Sequence, residues 1–190
     1  MTIGLINGGN VLNYTISQLL NAEELDRIWK DIVPASGWRY ITMSGGLSHW
    51  NFPVMSINDQ RDVPIEERWF FGAPDSIKEV YQRICELHPN HKLMRLIING
   101  QTQGMDSGIH FDSTHPQART YIIYLNPEWR PEWGGATQFF TDVNGEQIIH
   151  EQLPSPGTMF GYSGSIWHKG CGPCVPGVLR VTLAIQIITN

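Results

Sequence analysis

The chain has 190 residues, with 13 Lys plus Arg against 18 Asp plus Glu, a formal charge of −5 and a pI of about 5.7. Charged residues make up only 16% of it, against about 25% in an average domain, and 41% are hydrophobic, which excludes intrinsic disorder. The acidic balance argues against a nucleic-acid partner, and no apolar run approaches the roughly 18 residues that a membrane-spanning helix needs. Residues 1–14 carry no Lys or Arg, so they do not read as a signal peptide, and three cysteines without an export signal point to a reducing, cytoplasmic setting. A single domain over 1–190 is expected, long enough to fold without a disulfide or a metal.

Residues 21–33 place Leu25, Ile28, Trp29, Ile32 and Val33 on one helical stripe. Glu23 and Glu24 sit in its first turn, where the helix dipole favours negative charge, and Pro34 stops it. Residues 75–87 repeat the pattern through Ile77, Val80, Tyr81, Ile84 and Leu87, ended by Pro89. Both stripes predict helices packed on a sheet, a helical N-terminal support over about 1–91. From residue 92 the pattern changes to strands. Residues 93–98 are short, β-branched and apolar, with a turn at Asn99-Gly100; 120–125 and 179–188 are richer still in Ile, Val, Thr and Tyr. Shorter candidates at 136–140, 146–153 and 158–162 are spaced by Asn144-Gly145, Pro156-Gly157 and Ser163-Gly164. Helices followed by a series of short strands predict a mainly β fold with flanking helices, a double-stranded β-helix of jelly-roll or cupin type with its core over about 92–190.

Three positions carry the chemistry. In His110-Phe111-Asp112, strand alternation puts the imidazole and the carboxylate on one face, and that pair suits Fe(II), Mn(II) or Zn(II). A distal His168 completes a two-His, one-carboxylate set, which leaves coordination positions open. Arg180 is an unexpected charge on an apolar strand. Arg180, Thr182, Ala184 and Gln186 share one small, polar face, while Leu179, Val181, Leu183, Ile185 and Ile187 share the other. The polar face is expected to line a cavity, with the guanidinium as a fork for a carboxylate.

In the order His-x-Asp, distal His and Arg, these residues resemble the 2-oxoglutarate/Fe(II) dioxygenases, in particular their prolyl-hydroxylase-like branch. The resemblance spans about 93–187, and Thr120-Tyr-Ile-Ile-Tyr-Leu-Asn-Pro-Glu-Trp129 followed by Gly134-Gly135-Ala-Thr-Gln-Phe139 is similar to that branch's strand-turn-strand. It implies that His110, Asp112 and His168 hold Fe(II), and that 2-oxoglutarate chelates the metal with its far carboxylate on Arg180. Tyr124 matches the tyrosine that donates to that carboxylate, and Thr120, Ile122 and Tyr124 are expected to face the pocket together. Asn99 stands near the position of a further cosubstrate-holding tyrosine. Thr182 matches the Arg-x-Ser/Thr pattern of other relatives, whereas the branch's Thr four residues after the Arg is Ala184 here. Asp112 stands where family halogenases have a small residue, so hydroxylation is the implied outcome.

The expected activity is therefore hydroxylation of an unactivated C–H in an amino-acid-like small molecule or a peptidyl, prolyl-type substrate. O2 is consumed, succinate and CO2 are formed, and ascorbate serves as reductant. The alternative is a non-oxygenase metal-binding cupin, an isomerase or binding module. Cys171-Gly-Pro-Cys174 matches the thioredoxin redox motif, but Val175-Pro176-Gly177 cannot start the helix that motif needs, so a plain turn is expected. Residues 43–59, with Trp50 and Phe52, and the Asp106-Ser107 loop are candidate lids. Arg39, Arg95 and Arg119 read as surface charges, with carboxylate holding as the alternative, and His49, His88, His91 and His150 as surface or supporting histidines.

Overall fold

The computed structural model describes residues 2–4, 13–42, 47–54 and 74–190. Helices α1 (Ala22–Ile32) and α2 (Asp75–Leu87) form where their apolar stripes predict them. A capping box starts α1: the Asn21 side chain accepts from the Glu24 N–H at 2.9 Å, and the Glu24 carboxylate accepts from the Asn21 N–H at 2.8 Å. Two of the N–H groups that a helix start leaves unpaired are thereby satisfied. Ion pairs Arg83–Glu24 and Arg27–Glu79 tie the two helices together.

Numbered along the chain, the strands of the large sheet lie in the spatial order β1 (Thr2–Gly4), β2 (Tyr14–Gln18), β9 (Thr158–Ser163), β6 (Ala118–Tyr124), β11 (Arg180–Ile188), β5 (Lys92–Gln101), β4 (Ser48–Pro53) and β3 (Arg39–Thr42). A small sheet holds β10 (Trp167–Gly170), β7 (Thr137–Phe140) and β8 (Ile148–Gln152), and all pairings are antiparallel. The late strands β9 and β11 lie between earlier ones, β9 between β2 and β6 and β11 between β6 and β5, so the sheet is knit from distant parts of the chain. Its outer face and the buried faces of α1 and α2 form the main core, through Leu25, Ile28, Ile77, Ile84, Ile123, Leu183 and Ile185 among others. The inner face looks toward the small sheet.

Two expectations change. The N-terminal part is not only a helical support, because β2 pairs with β9 and β4 pairs with β5, so it also widens the sheet. Nor does Asn99-Gly100 turn. β5 runs on to Gln101 because partners on both sides hold it, Thr182 and Asn51 opposite Asn99, and Val181 and Trp50 opposite Gly100. Glycine is needed there for space, since a Cβ on Gly100 would lie 2.8 Å from the Trp38 ring. Pairing has overridden local turn preference.

Candidate active site

His110 and Asp112 are not on a regular strand. His110 forms an isolated antiparallel bridge with His168, the two exchanging backbone hydrogen bonds of 3.0 and 2.8 Å, and the Asp112 N–H donates to the Gly164 carbonyl at 2.8 Å. The backbone is thus extended and clamped, so the expected same-face projection is met without a strand. His110 Nδ1 faces the Gly108 carbonyl at 2.8 Å and His168 Nδ1 the Ile166 carbonyl at 2.9 Å. A carbonyl only accepts, so in both rings the proton sits on Nδ1 and Nε2 carries the lone pair that a cation can use, although at His168 the Tyr162 hydroxyl, 3.0 Å away, holds that lone pair in this structure. Each Nε2 lies 3.7 Å from an Asp112 carboxylate oxygen, and the three donor atoms fall within 4.8 Å of one another. Burial, followed by the nearby His110, pulls the His168 pKa down against the pull of Asp112, which favours the neutral imidazole that a metal requires.

Asp112 is held from behind. Thr120 Oγ1 donates to Oδ2 at 2.6 Å and Gln186 Nε2 donates to Oδ1 at 2.7 Å. Such supports orient a ligating carboxylate while leaving it further lone pairs. Thr120, expected to face the cosubstrate, lines the cavity and donates its hydroxyl hydrogen bond to the Asp112 carboxylate. Tyr162, which sequence reasoning passed over as a strand residue, is 1% exposed, and its hydroxyl lies 3.0 Å from His168 Nε2.

Arg180 is 2% exposed. Its Nε donates to the Gly135 carbonyl at 2.7 Å, Nη1 to Gln101 Oε1 at 2.6 Å and Nη2 to Thr137 Oγ1 at 2.9 Å. The glycine matters: Gly135 has φ +72, and a Cβ there would meet Trp129 at 2.8 Å and Arg180 Cδ at 3.3 Å. All three acceptors are neutral, and no carboxylate among the described residues forms an ion pair with Arg180. Burial lowers its pKa, yet a guanidinium does not lose its proton in a protein, so the positive charge stays. A buried charge without a partner is costly, and an arriving anion removes that cost.

Tyr124 stands behind the guanidinium, with its ring 5.6 Å from the Arg180 Cζ. Its hydroxyl lies 2.9 Å from Thr137 Oγ1 and donates to the Gln152 carbonyl at 3.2 Å. In this arrangement Tyr124 holds Arg180 through Thr137 and its ring. Asn126, from the Tyr-Leu-Asn segment, clamps the entry to β11, accepting from Val181 N–H and donating to the Leu179 carbonyl, both at 2.7 Å.

The triad and Arg180 open on one cavity between the two sheets. Thr120, Ile122, Asn99, Thr182, Ala184 and Gln186 line it, whereas Tyr124, expected beside Thr120 and Ile122, is fully buried behind Arg180 and is not among the lining residues. Arg95, expected on the surface, lines it as well, because β5 turns Arg95, Ile97, Asn99 and Gln101 to the same side. His49 is 5% exposed and belongs to the same wall. Gln101 and Thr137 carry no chemical signature of their own; only folding brings them to Arg180.

Other candidates lie elsewhere. His115 is exposed, and Trp167 packs edge-on against Phe111 rather than entering the site. Trp129 and Trp133 pack on each other by the Gly134 turn. Of the 43–59 lid, 48–53 is strand β4 with Phe52 buried in the core, and the rest is outside the described residues except 47 and 54. Cys174 Sγ donates to the Glu132 carbonyl and Pro173 bridges to Gly134, with no helix following. Burial, followed by Asp106, raises the Cys171 thiol pKa, the reverse of what thioredoxin chemistry needs.

No protein-family model matches the sequence, and no curated protein is similar enough in sequence to match. Solved structures do match. The chain is similar to a prolyl-4-hydroxylase from Pseudomonas putida, with 14% identity, a TM-score of 0.58 and coverage of 93% of this chain and 92% of that one. It is also similar to a Trichoplax adhaerens prolyl hydroxylase solved with a hypoxia-inducible-factor peptide, with 12% identity, a TM-score of 0.62 and coverage of 93% and 83%. A third similar structure is the non-heme alpha-ketoglutarate-dependent epimerase SnoN of nogalamycin biosynthesis, with 12% identity, a TM-score of 0.63 and coverage of 93% and 78%. The fold is thus the one that prolyl hydroxylases and other 2-oxoglutarate/Fe(II) oxygenases use. Among the described residues no helix is long and apolar enough to cross a membrane.

Proposed function

We propose that the protein is a 2-oxoglutarate- and Fe(II)-dependent oxygenase that hydroxylates an unactivated C–H of an amino-acid-like small molecule or a peptidyl substrate. The observation that carries this reading is the buried Arg180, without a carboxylate partner among the described residues, on the wall of the cavity that also holds the triad. A cation site and an unpaired guanidinium in one cavity fit a ligand that chelates a metal at one end and carries a carboxylate at the other.

His110, Asp112 and His168 would hold the iron, and their donor set of two neutral imidazoles and one carboxylate suits Fe(II). Arg180, fixed by Gly135, Gln101 and Thr137, would take the far carboxylate of 2-oxoglutarate, with Thr182 and Ile122 on the adjacent wall. Together, iron, 2-oxoglutarate and O2 supply oxidative decarboxylation to succinate and CO2, coupled to oxygenation of a C–H bond. Thr120 and Gln186 keep the carboxylate aimed. Asn99 faces the cavity but is hydrogen-bonded to His49, so its part is to position that ring. The peptide complex of the Trichoplax neighbour supports a peptidyl substrate, and SnoN supports a small molecule.

Purified protein given Fe(II), ascorbate, O2 and 2-oxoglutarate should release succinate even without its prime substrate, and Asp112→Ala should not. Arg180→Ala should raise the 2-oxoglutarate requirement about 100-fold while Mn(II) affinity changes little. No succinate from wild type, with tight Zn(II) binding and an unchanged 2-oxoglutarate requirement in the variant, would favour the metal-binding cupin.

A further inference from the structure

The lone pair of His168 that a cation needs is claimed by a neighbouring side chain. Tyr162 on β9 is 1% exposed, and its hydroxyl lies 3.0 Å from His168 Nε2. His168 Nδ1 faces the Ile166 carbonyl, which only accepts, so Nε2 is the acceptor and the Tyr162 O–H is the donor. Nε2 is also the atom that lies 3.7 Å from an Asp112 carboxylate oxygen and completes the three-donor cluster. A ring nitrogen has one lone pair. It cannot serve the tyrosine hydroxyl and a metal ion at the same time.

The tyrosine ring is wedged in place. It packs edge-on against Phe139 at 5.0 Å and against His168 at 4.9 Å, with Phe160 at 6.1 Å. The ring is thus held, whereas the hydroxyl hydrogen can swing to another acceptor. One is at hand: Thr120 is paired with Tyr162 across β6 and β9, and the two hydroxyls are in hydrogen-bonding contact. Thr120 donates to Asp112 Oδ2, so its oxygen remains able to accept. His110 differs. Its Nδ1 is likewise held by a carbonyl, but among the described residues no hydroxyl is hydrogen-bonded to its Nε2.

Resting on the metal site of the oxygenase reading, we infer that Tyr162 is a positioning residue that competes with the cation for His168 Nε2. When a cation takes that atom, the tyrosine hydrogen bond passes to Thr120. The triad therefore binds a divalent metal more weakly than its three donors alone would, and the ion stays exchangeable.

The test uses the full-length protein with Mn(II) as the metal probe and 15N-histidine labelling. Tyr162→Phe keeps the ring and its packing and removes only the hydroxyl. Its Mn(II) affinity should rise about threefold to tenfold over the wild type, the reverse of the loss that follows removal of a group supporting the metal. After EDTA treatment, the His168 Nε2 resonance of the variant should move downfield as it loses its donor, while that of His110 stays in place. In the wild type, Zn(II) should perturb the near-ultraviolet absorption of a buried tyrosine, a signal that needs no variant and that Tyr162→Phe should lose. Mn(II) affinity unchanged or lower in Tyr162→Phe, an unmoved His168 Nε2 resonance, or a wild type without the tyrosine signal would overturn the proposal. A wild type that binds no Mn(II) would remove the metal site and this inference with it, whereas Mn(II) binding without succinate release would break the oxygenase reading alone.

Discussion

Alternate residues of β11 make two surfaces of opposite character. Val181, Leu183, Ile185 and Ile187 are each 0% exposed and join the core that α1 and α2 cover. Arg180, Thr182, Ala184 and Gln186 face the cavity, where a guanidinium lacks an anion and an amide supports Asp112. On the outer surface each side chain contributes through apolar area removed from water, a non-directional effect that tolerates similar shapes. On the inner surface the contribution depends on the direction of single hydrogen bonds, and the buried charge works against stability until a ligand arrives. One strand therefore separates holding the fold from holding the site, so damage to one surface should leave the other readable.

The sharpest way to break this division is Leu183→Ala. Truncating a fully buried leucine should cost about 2–5 kcal/mol in urea unfolding. The 2-oxoglutarate affinity of the folded fraction should stay within about twofold, because Leu183 faces away from the cavity. A large loss of affinity would mean that the two faces are mechanically coupled.

The inner counterpart is Gln186→Leu. It removes the donor on Asp112 Oδ1 but keeps the volume, so Mn(II) affinity should fall about tenfold to a hundredfold while stability moves by less than about 1 kcal/mol. Unchanged Mn(II) affinity would reduce Gln186 to a bystander. Together with Arg180→Ala, the pair maps the inner surface onto metal and cosubstrate separately.

Much of this was legible before folding, and the reasons are physical. The parity of β11 could be read because a strand has period two and its apolar set is unbroken from Val181 to Ile187. The grouping of His110, Asp112 and His168 came from the order His-x-Asp, distal His and Arg, and from the family that this order resembles. By contrast, β2 and β4 are short and polar, and become strands only because β9 and β5 lie beside them. The same pairing straightened Asn99-Gly100. The task of Thr120 escaped notice because a hydroxyl on a strand carries no label for the carboxylate it will meet. His49 reads as a surface or supporting histidine until the pairing of β4 with β5 brings its ring to Asn99, fifty residues away in sequence. Arg95 reads as a surface charge until the register of β5 against β11 turns it inward.

The smallest effect concerns acid. His49 and His168 are each 5% exposed, and in both, burial is the main cause that lowers the pKa. In the unfolded chain such a histidine titrates near 6.5. Above that pH both states are neutral and these groups add no pH dependence. Below it the unfolded chain takes up protons that the native fold refuses, so stability falls as pH drops toward the lowered native pKa values. The slope is at most about 1.4 kcal/mol per pH unit for each histidine, which amounts to a loss of about 1 kcal/mol between pH 7.5 and 6. Urea unfolding of protein stripped with EDTA should show this decline, and saturating Zn(II) should add stability that itself weakens over the same window, since protons and metal compete for imidazole. His88, against Tyr121 of the outer core, and His150, against Phe160, are also lowered by burial, so His49→Phe is the control that isolates the cavity-side share of the decline. A flat stability profile from pH 7.5 to 6 would show that the inner surface lets water reach these rings, and the division between a dry structural face and a closed chemical one would have to be redrawn.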